Sequence, residues 1–281
     1  MTIDEGKGPG LVSVDWLQKH LFDPQVIVFD CRYDLLAPGS ARADYESGHI
    51  PGAYYLDLEV DLAGPLGDHG GRHPLPTAEL FAQCMAHKGV TANTYCVAYD
   101  IDGVGSARLW WLLRYFGHDQ ALVLDGGLRA WQRSGGLVTA EPTPPRQGNF
   151  EARPGHLPIV DGTLLKTTNG HYLMDSRSAP RYRGEVEPID HVAGHIPGAK
   201  NYDYQLVFDE PAQYRPASHL AHHFGEIASQ AIPIVYCGSG VSACVNLFAL
   251  NLIGVEATLY PGSWSDWISY RDNPIAIGPN P

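Results

Sequence analysis

A six-residue segment occurs twice in this chain without change. Gly-His-Ile-Pro-Gly-Ala spans residues 48–53 and recurs at residues 194–199, which is 146 positions later. The tripeptides Asp-Cys-Arg at 30–32 and Asp-Ser-Arg at 175–177 precede the two copies in the same order. A period this long exceeds the repeat unit of a solenoid, so it predicts two tandem domains of one fold.

The boundary between the two domains is expected near residue 145. Residues 141–148 read Glu-Pro-Thr-Pro-Pro-Arg-Gln-Gly and have no apolar periodicity, which is typical of an extended surface connector. We therefore expect one domain at 1–145 and the other at 146–281.

Short apolar runs alternate with longer amphipathic stretches in both halves. This pattern predicts the α/β class, with each domain a parallel sheet flanked by helices. Thr77 and Ser218 are the predicted N-caps of two helices. The predicted strands are 26–30, 95–99, 121–124, 172–175, 232–236 and 257–260, and the predicted helices are 77–87, 106–116, 218–229 and 241–253.

The charge balance excludes two classes of partner. The chain has 31 acidic and 19 basic side chains and a net charge of −12, which repels nucleic acid and anionic membranes. No apolar run approaches the roughly 20 residues of a membrane span, and the first ten residues lack the apolar core of a signal peptide. We therefore expect a cytoplasmic protein.

The cysteines indicate neither disulfides nor metal. Five cysteines without a Cys-x-x-Cys pair argue against a disulfide framework and against a thiolate zinc site. His219, His222 and His223 have helical spacing, but a solvated helix face explains them better than a metal site. No metal or other cofactor is predicted.

One cysteine stands where a strand gives way to a helix. The predicted strand 232–236 is followed by Cys237-Gly238-Ser239-Gly240-Val241-Ser242 and then by a helical run. Glycines let successive N–H groups converge, and the following helix adds the positive end of its dipole. Such a loop favours the thiolate, lowering a thiol pKa from about 8.5 toward neutrality, and leaves the sulfur exposed. Cys237 is the candidate nucleophile, and Gly238, Gly240, Val241 and Ser242 are candidate binding residues.

The equivalent loop of the first half begins with Asp100, which cannot carry a transferable atom as a thiolate does. We therefore expect the first domain to be catalytically inactive. The remaining cysteines are predicted to be inert, and His49 and His195 of the repeated turn are predicted to be structural. These inert cysteines are Cys31, Cys84, Cys96 and Cys244.

The duplication, the Asp-x-Arg elements, the repeated turn and the single loop cysteine together resemble the rhodanese and 3-mercaptopyruvate sulfurtransferase family. The resemblance extends over nearly the whole chain and implies two tandem rhodanese-like domains. It also implies that Cys237 takes a sulfane sulfur from a small-molecule donor and becomes a persulfide. The sulfur then passes to an acceptor, either a thiol such as that of thioredoxin or cyanide.

The loop sequence bears on the donor. Thiosulfate enzymes of this family commonly carry Arg and Lys after the cysteine, whereas Gly-Ser-Gly-Val resembles the mercaptopyruvate enzymes. A dianion such as thiosulfate loses much solvation if no cation meets it. We therefore expect 3-mercaptopyruvate as the donor, with thiosulfate as the alternative.

The mercaptopyruvate enzymes also place two arginines ahead of the second turn to hold the substrate. Arg181 matches the first of them, although a surface ion pair with Glu185 or Glu187 is another explanation for this residue. Where the family has its second arginine, this chain has Ile189 or Asp190. Arg183 is a lesser candidate for substrate binding.

Sulfur removal from mercaptopyruvate leaves an enolate that needs a proton. The resemblance implies that a serine, a histidine and a carboxylate cooperate in this step, and the matching residues are Ser239, His73 and Glu59. His73 and Glu59 come from the first half of the chain.

Two rival functions fit less well. A cysteine phosphatase needs an arginine six positions after its cysteine, and this chain has Ala243 there. A non-catalytic sulfur-binding module would be favoured by loss of the nucleophile, and that loss applies only to the loop of Asp100.

Overall fold

The structure is a computed structural model that describes residues 8–35, 37, 39–167, 172–225, 227 and 232–281. These residues form two compact units. The first contains the described residues up to Ala63 together with Pro76–His156 and Asp209–Tyr214, and the second contains those of Gly64–Leu75, Leu157–Phe208 and Arg215–Pro281. The compact units thus differ from the two halves of the sequence, because each takes a short segment from the other half.

The first unit is built on a parallel sheet. Its described strands are β1 (Leu11–Val12), β2 (Val26–Asp30), β3 (Tyr54–Tyr55), β4 (Tyr95–Tyr99) and β5 (Ala121–Leu124), in the order β1-β5-β4-β2-β3. Its described helices are α1 (Val14–His20), α2 (Ser40–Ser47), α3 (Ala78–His87), α4 (Val104–Tyr115) and α5 (Gly127–Arg133). Every residue of β2 is buried, as expected for a strand in the middle of a sheet that is covered on both faces.

The second unit repeats this plan on a smaller scale. Its helices include α6 (Gly162–Thr167) and α7 (Ala179–Tyr182). Its parallel sheet has the order β11-β10-β6-β7, with β6 (Leu173–Asp175), β7 (Ala199–Asn201), β10 (Ile234–Tyr236) and β11 (Thr258–Leu259). The remaining elements of this unit are the 3₁₀ helix Tyr204–Val207, α8 (Ala217–His223), α9 (Ala243–Leu252) and α10 (Ser263–Trp267). The two-stranded sheet of β8 (Phe208–Glu210) and β9 (Gln213–Tyr214) lies, apart from Phe208, in the segment Asp209–Tyr214 of the first unit.

The α/β class and the parallel sheets are confirmed. Thr77 caps α3 as predicted, accepting the Leu80 N–H at 3.3 Å. The N-cap predicted at Ser218 is wrong, because α8 begins one residue earlier with Pro216 as its N-cap. Residues 226, 228 and 229 of the predicted helix lie outside the described residues. None of the described helices has the length and apolar character needed to cross a membrane.

The two Asp-x-Arg elements hold the two copies of the repeated turn. Arg177 forms a bidentate ion pair with Asp175 and donates to the Gly194 carbonyl at 2.7 Å. Arg32 makes the same contacts with Asp30 and, at 2.8 Å, with the Gly48 carbonyl. All four charged side chains are buried, so these ion pairs are internal supports of each unit.

The histidines of the turn are buried and engaged with neighbouring tyrosines. His49 Nδ1 is 2.8 Å from the Tyr45 carbonyl oxygen, and its ring stacks on the Tyr45 ring. His195 repeats this arrangement with Tyr182. Both histidines have the structural role predicted for them.

Candidate functional site

Cys237 follows the last residue of β10 and begins the loop that leads to α9. Gly240 of this loop has φ +77°, a left-handed conformation that glycine adopts without strain. A Cβ at Gly240 would also overlap the Pro261 carbonyl oxygen. The tight loop predicted from the glycines is therefore present, and Gly240 is needed for its path.

Main-chain hydrogen bonds fix the loop around the sulfur. The Gly240 N–H donates to Cys237 Sγ at 3.1 Å. The Cys237 N–H donates to Ser263 Oγ at 3.1 Å, and the Trp264 N–H donates to the Cys237 carbonyl at 3.0 Å. The first residues of α10 thus hold the backbone while an amide of the loop itself is directed at the sulfur.

The exposure predicted for the sulfur is wrong. Cys237 is only 1% exposed, because its side chain turns beneath its own loop toward the Gly240 amide. Val241 is buried as well, and Ser242 precedes α9 without a capping hydrogen bond from its side chain. The site is therefore an enclosed loop, with the sulfur on its inner side.

Two guanidinium groups lie against Gly238. A Cβ at this glycine would be 3.1 Å from Arg72 Nη2 and 3.5 Å from Arg181 Nη2. Arg181, the predicted first substrate arginine, comes from α7. Arg72 comes from the segment 64–75, which belongs to the second unit although it lies in the first half of the chain.

Two buried carboxylates orient these arginines. Glu187 accepts from Arg181 Nε at 3.1 Å and from Arg181 Nη2 at 2.7 Å. Asp190 accepts from Arg181 Nη2 at 3.3 Å through one oxygen and from Arg72 Nη1 through the other. Burial acts to raise the pKa of Glu187, but the hydrogen bonds from Arg181 and from backbone amides outweigh it and hold the pKa below its usual value. Glu187 is therefore a stable anionic partner for Arg181.

Ser239 and His73 meet beside the same loop. Ser239 Oγ and His73 Nδ1 share a hydrogen bond of 2.7 Å, and both residues are buried. The segment that carries His73 is anchored on α10, since the Arg72 N–H donates to Ser265 Oγ at 3.1 Å and the Gly70 N–H donates to Asp266 Oδ1 at 2.7 Å. The structure thus brings together a hydroxyl and an imidazole that are 166 positions apart in the chain.

Two predicted site residues have other surroundings. Glu59 belongs to the first unit, where it is exposed and lines a cavity of about 70 Å³ with Asp57 and Tyr33. Arg183 forms a bidentate ion pair with Glu185, at 2.7 and 2.8 Å. Their parts in proton transfer and substrate binding stay predictions.

Asp100 stands in the first unit where Cys237 stands in the second, directly after a central strand. Its carboxylate accepts the Gly103 N–H and the Ser106 N–H, each at 2.8 Å. Burial, with the added charge of Asp102, raises the pKa of Asp100 to about 7. This loop therefore uses its own carboxylate to satisfy its amides.

The other cysteines lie in apolar or packed surroundings. Cys31, Cys96 and Cys244 are buried, and Cys84 is half-buried in α3. Burial raises the pKa of the Cys31 and Cys96 thiols, and burial together with the charge of Asp61 raises the pKa of Cys84 to about 12. Thiols with raised pKa values are poor nucleophiles at neutral pH, in agreement with the prediction that they are inert.

Sequence reasoning missed Arg72 and the role of Asp190. Arg72 directly precedes His73, so its position beside a candidate residue was a usable signal. From the sequence, Asp190 is only one of two residues, with Ile189, that stand where the family has its second arginine. The pairing of Arg72 with Asp190 across 118 positions needs the fold to be seen.

Comparison with known proteins places this arrangement in a family. The sequence profile of the rhodanese-like domain matches residues 13–134 and 163–270. A Pseudomonas aeruginosa protein named "Probable 3-mercaptopyruvate sulfurtransferase" is 40% identical over 95% of this chain and 98% of its own length. The thiosulfate sulfurtransferase of Gallus gallus is 32% identical over 92% of this chain and 93% of its own.

A solved structure agrees with these relatives. The crystal structure of the Escherichia coli 3-mercaptopyruvate sulfurtransferase SseA superimposes with a TM-score of 0.78 at 32% identity, covering 92% of this chain and 99% of that one. Both the sequence and the fold are thus shared over nearly the full length. The chain belongs to the rhodanese-like sulfurtransferase family.

Proposed function

We propose that this enzyme transfers sulfur from 3-mercaptopyruvate to an acceptor through a persulfide on Cys237. The observation that carries the proposal is the convergence on one loop of a cysteine, two arginines and a serine–histidine pair, all within the second compact unit. Each of these groups has a distinct task in the chemistry of this donor.

In the first step the Cys237 thiolate attacks the sulfur of mercaptopyruvate. A sulfur–sulfur bond forms, the carbon–sulfur bond of the donor breaks, and its electron pair passes into the enolate of pyruvate. Arg72 and Arg181 hold the donor carboxylate, since guanidinium groups bind carboxylates by paired, charge-assisted hydrogen bonds. The Gly240 N–H faces the attacking sulfur and stabilises its negative charge.

In the second step the CH2 carbon of the enolate takes up a proton from a solvent water, and the product leaves as pyruvate. Ser239 Oγ donates to the oxygen on which the enolate charge develops, and His73 orients that hydroxyl through their 2.7 Å hydrogen bond. Glu59 stays the predicted carboxylate partner of this pair. The persulfide then gives its outer sulfur to a thiolate, such as that of thioredoxin, or to cyanide, and the Cys237 thiolate is restored.

Thiosulfate is the alternative donor, and the thiosulfate sulfurtransferases among the relatives favour it. The charges near the loop favour mercaptopyruvate, because Glu187 and Asp190 offset Arg181 and Arg72. A dianion gains less from such a balanced site than it loses in solvation. The cytoplasmic location expected from the sequence belongs to the same proposal.

The decisive variant is Cys237→Ser. We expect it to abolish pyruvate and sulfide formation from mercaptopyruvate, because a hydroxyl at this position forms no persulfide. Wild-type protein exposed to donor without acceptor is expected to gain the mass of one sulfur atom on the peptide containing Cys237. Cys84→Ser is the matched control, since it removes a thiol from α3 of the first unit and leaves the loop intact.

Two results would contradict the proposal. Sulfur transfer that persists in Cys237→Ser would exclude the persulfide on this residue. A kcat/KM for thiosulfate that exceeds the value for mercaptopyruvate by about tenfold or more would show that the donor has been misidentified.

A further inference from the structure

Asp190 occupies a special place between the two arginines of the loop. One of its oxygens accepts from Arg72 Nη1 and the other from Arg181 Nη2, and its side chain is only 4% exposed. The Asp190 N–H donates to Glu187 Oε1 at 3.1 Å, which fixes the backbone at this point. Asp190 is therefore a built-in carboxylate that links the two guanidinium groups.

The link leaves one nitrogen of each arginine beside the loop without a hydrogen bond to either carboxylate. Asp190 and Glu187 engage Arg72 Nη1 and, on Arg181, Nε and Nη2. Arg72 Nη2, Arg181 Nη2 and Arg181 Nη1 lie 3.1, 3.5 and 3.6 Å from the position of a Gly238 Cβ. Of these three nitrogens, Arg181 Nη2 is the one that the carboxylates engage. A donor carboxylate beside Gly238 thus meets one nitrogen from each arginine.

The link also determines the local charge. Arg72, Arg181 and Arg177 carry three positive charges, and Glu187, Asp190 and Asp175 carry three negative charges, so this connected group of six is neutral. Removing one carboxylate would leave one net positive charge within a few ångströms of the loop. A dianion gains twice as much from that charge as a monoanion does.

We propose that Asp190 determines donor specificity, holding Arg72 and Arg181 toward the loop while cancelling the charge that would favour a dianionic donor. This inference rests on the proposed sulfur transfer and concerns how the same site discriminates between donors. Asp190 acts through the arginines and is a positioning residue. Where the family pattern has its second arginine, this chain has Ile189 or Asp190.

The test compares donors in Asp190→Asn, which keeps the shape of the side chain and removes its charge. We expect the ratio of kcat/KM for thiosulfate to kcat/KM for mercaptopyruvate to rise about tenfold. Asp190→Glu keeps the charge and is expected to leave the ratio near its wild-type value. Glu256→Gln removes one negative charge from an exposed position of the same unit and controls for net charge.

A binding measurement separates this inference from the proposed function. Calorimetric titration of Cys237→Ser with sulfate, an unreactive dianion, and with pyruvate, a monoanion, requires no turnover. Adding Asp190→Asn is expected to raise the affinity for sulfate about tenfold relative to pyruvate. Adding Arg72→Gln instead is expected to lower the affinity for sulfate relative to pyruvate. This second variant provides the test if the protein with Asp190→Asn does not fold.

The outcomes are distinct. Wild-type turnover of mercaptopyruvate with an unchanged anion ratio in Asp190→Asn would overturn the inference and leave the proposed function standing. An equal shift in Asp190→Glu or in Glu256→Gln would also overturn it, because the effect would then come from geometry or from overall charge. Absence of turnover with either donor, accompanied by the expected shift in anion binding, would overturn the function and support the role of Asp190.

Discussion

At the scale of single residues, Cys237 and Asp100 occupy equivalent positions in the two copies of the same loop. Each residue directly follows a central strand and precedes a long buried helix. The sulfur of Cys237 accepts one amide of its loop, whereas the carboxylate of Asp100 accepts two. The first copy therefore satisfies its own amides with its own side chain.

The raised pKa of Asp100 predicts a stability effect. Its pKa is about 7 in the folded chain against an ordinary 3.8, so the folded state binds more protons between these values. Protonated Asp100 contributes fully to the free energy of unfolding below pH 3.8, and this contribution is lost as the pH rises through 7. Between pH 6 and pH 8 the free energy of unfolding is expected to fall by about 1 kcal/mol from this cause. Asp100→Asn is expected to remove this part of the pH dependence, measured by urea unfolding at both pH values.

The exposed Asp272 supplies the comparison for this experiment. Asp272→Asn is expected to leave the pH dependence of stability unchanged. If the free energies of unfolding of Asp100→Asn and the wild type differ by the same amount at pH 6 and at pH 8, Asp100 does not titrate in this range.

The sequence was most informative about residues that share a short motif. The glycine loop pointed to Cys237, Ser239 and Gly240, which the structure places together. It did not indicate Arg72, because the pairing of Arg72 with Asp190 joins segments that only the fold brings into contact. The enclosure of the sulfur was also missed, since it depends on the direction of a side chain within the loop.

At the scale of elements, the loop contains two glycines with different physical requirements. Gly240 has φ +77° and lies against Pro261, so a side chain there strains the backbone. A Cβ at Gly238 would instead approach the guanidinium groups of Arg72 and Arg181. Gly240 is therefore needed for the fold of the loop, and we predict that Gly238 matters for binding of the donor.

Alanine at these positions should separate the two roles. Gly240→Ala is expected to lower the free energy of unfolding by about 1–3 kcal/mol or more. Gly238→Ala is expected to leave stability within about 1 kcal/mol of wild type and to raise KM for the donor roughly fivefold to tenfold, because the arginines must move. Urea unfolding and steady-state kinetics on both proteins check this, and equal losses of stability would contradict it.

Element prediction succeeded where the apolar signal was long. β2, β4 and β5 begin and end where the sequence predicts, because each is a continuous run of four or five mostly apolar residues. The two-residue strands β1 and β3 were not predicted, since so short a run has no measurable periodicity. The N-cap of α8 is Pro216 rather than Ser218, and α8 begins at Ala217.

At the scale of the whole molecule, the duplication provides an internal comparison of buried ion pairs. Asp30–Arg32 and Asp175–Arg177 have the same bidentate geometry at nearly the same distances in the two units, and Arg177 also contacts Glu187 at 3.4 Å. Removing one partner of a buried pair leaves a charge without compensation, which commonly costs about 3–5 kcal/mol. Both pairs should therefore be equally important for folding, although only one unit carries the candidate cysteine.

Asp30→Asn and Asp175→Asn test this equivalence. We expect each to lower the free energy of unfolding by about 3–5 kcal/mol, measured by chemical denaturation. Glu151→Gln, which breaks an exposed pair with Arg153, is expected to change it by less than about 0.5 kcal/mol. A loss below about 1 kcal/mol in either aspartate variant would show that its ion pair does not support the fold.

The assignment of residues 64–75 to the second unit has a consequence for evolutionary history. The first half of the chain contains Arg72 and His73, but these side chains contact the loop of Cys237, which belongs to the second half. An ancestor that lost its earlier copy would have kept the thiol and given up an arginine and the imidazole beside it. Selection for sulfur transfer would then act on both halves at once and keep them fused, even though the first half has Asp100 at the position of the cysteine.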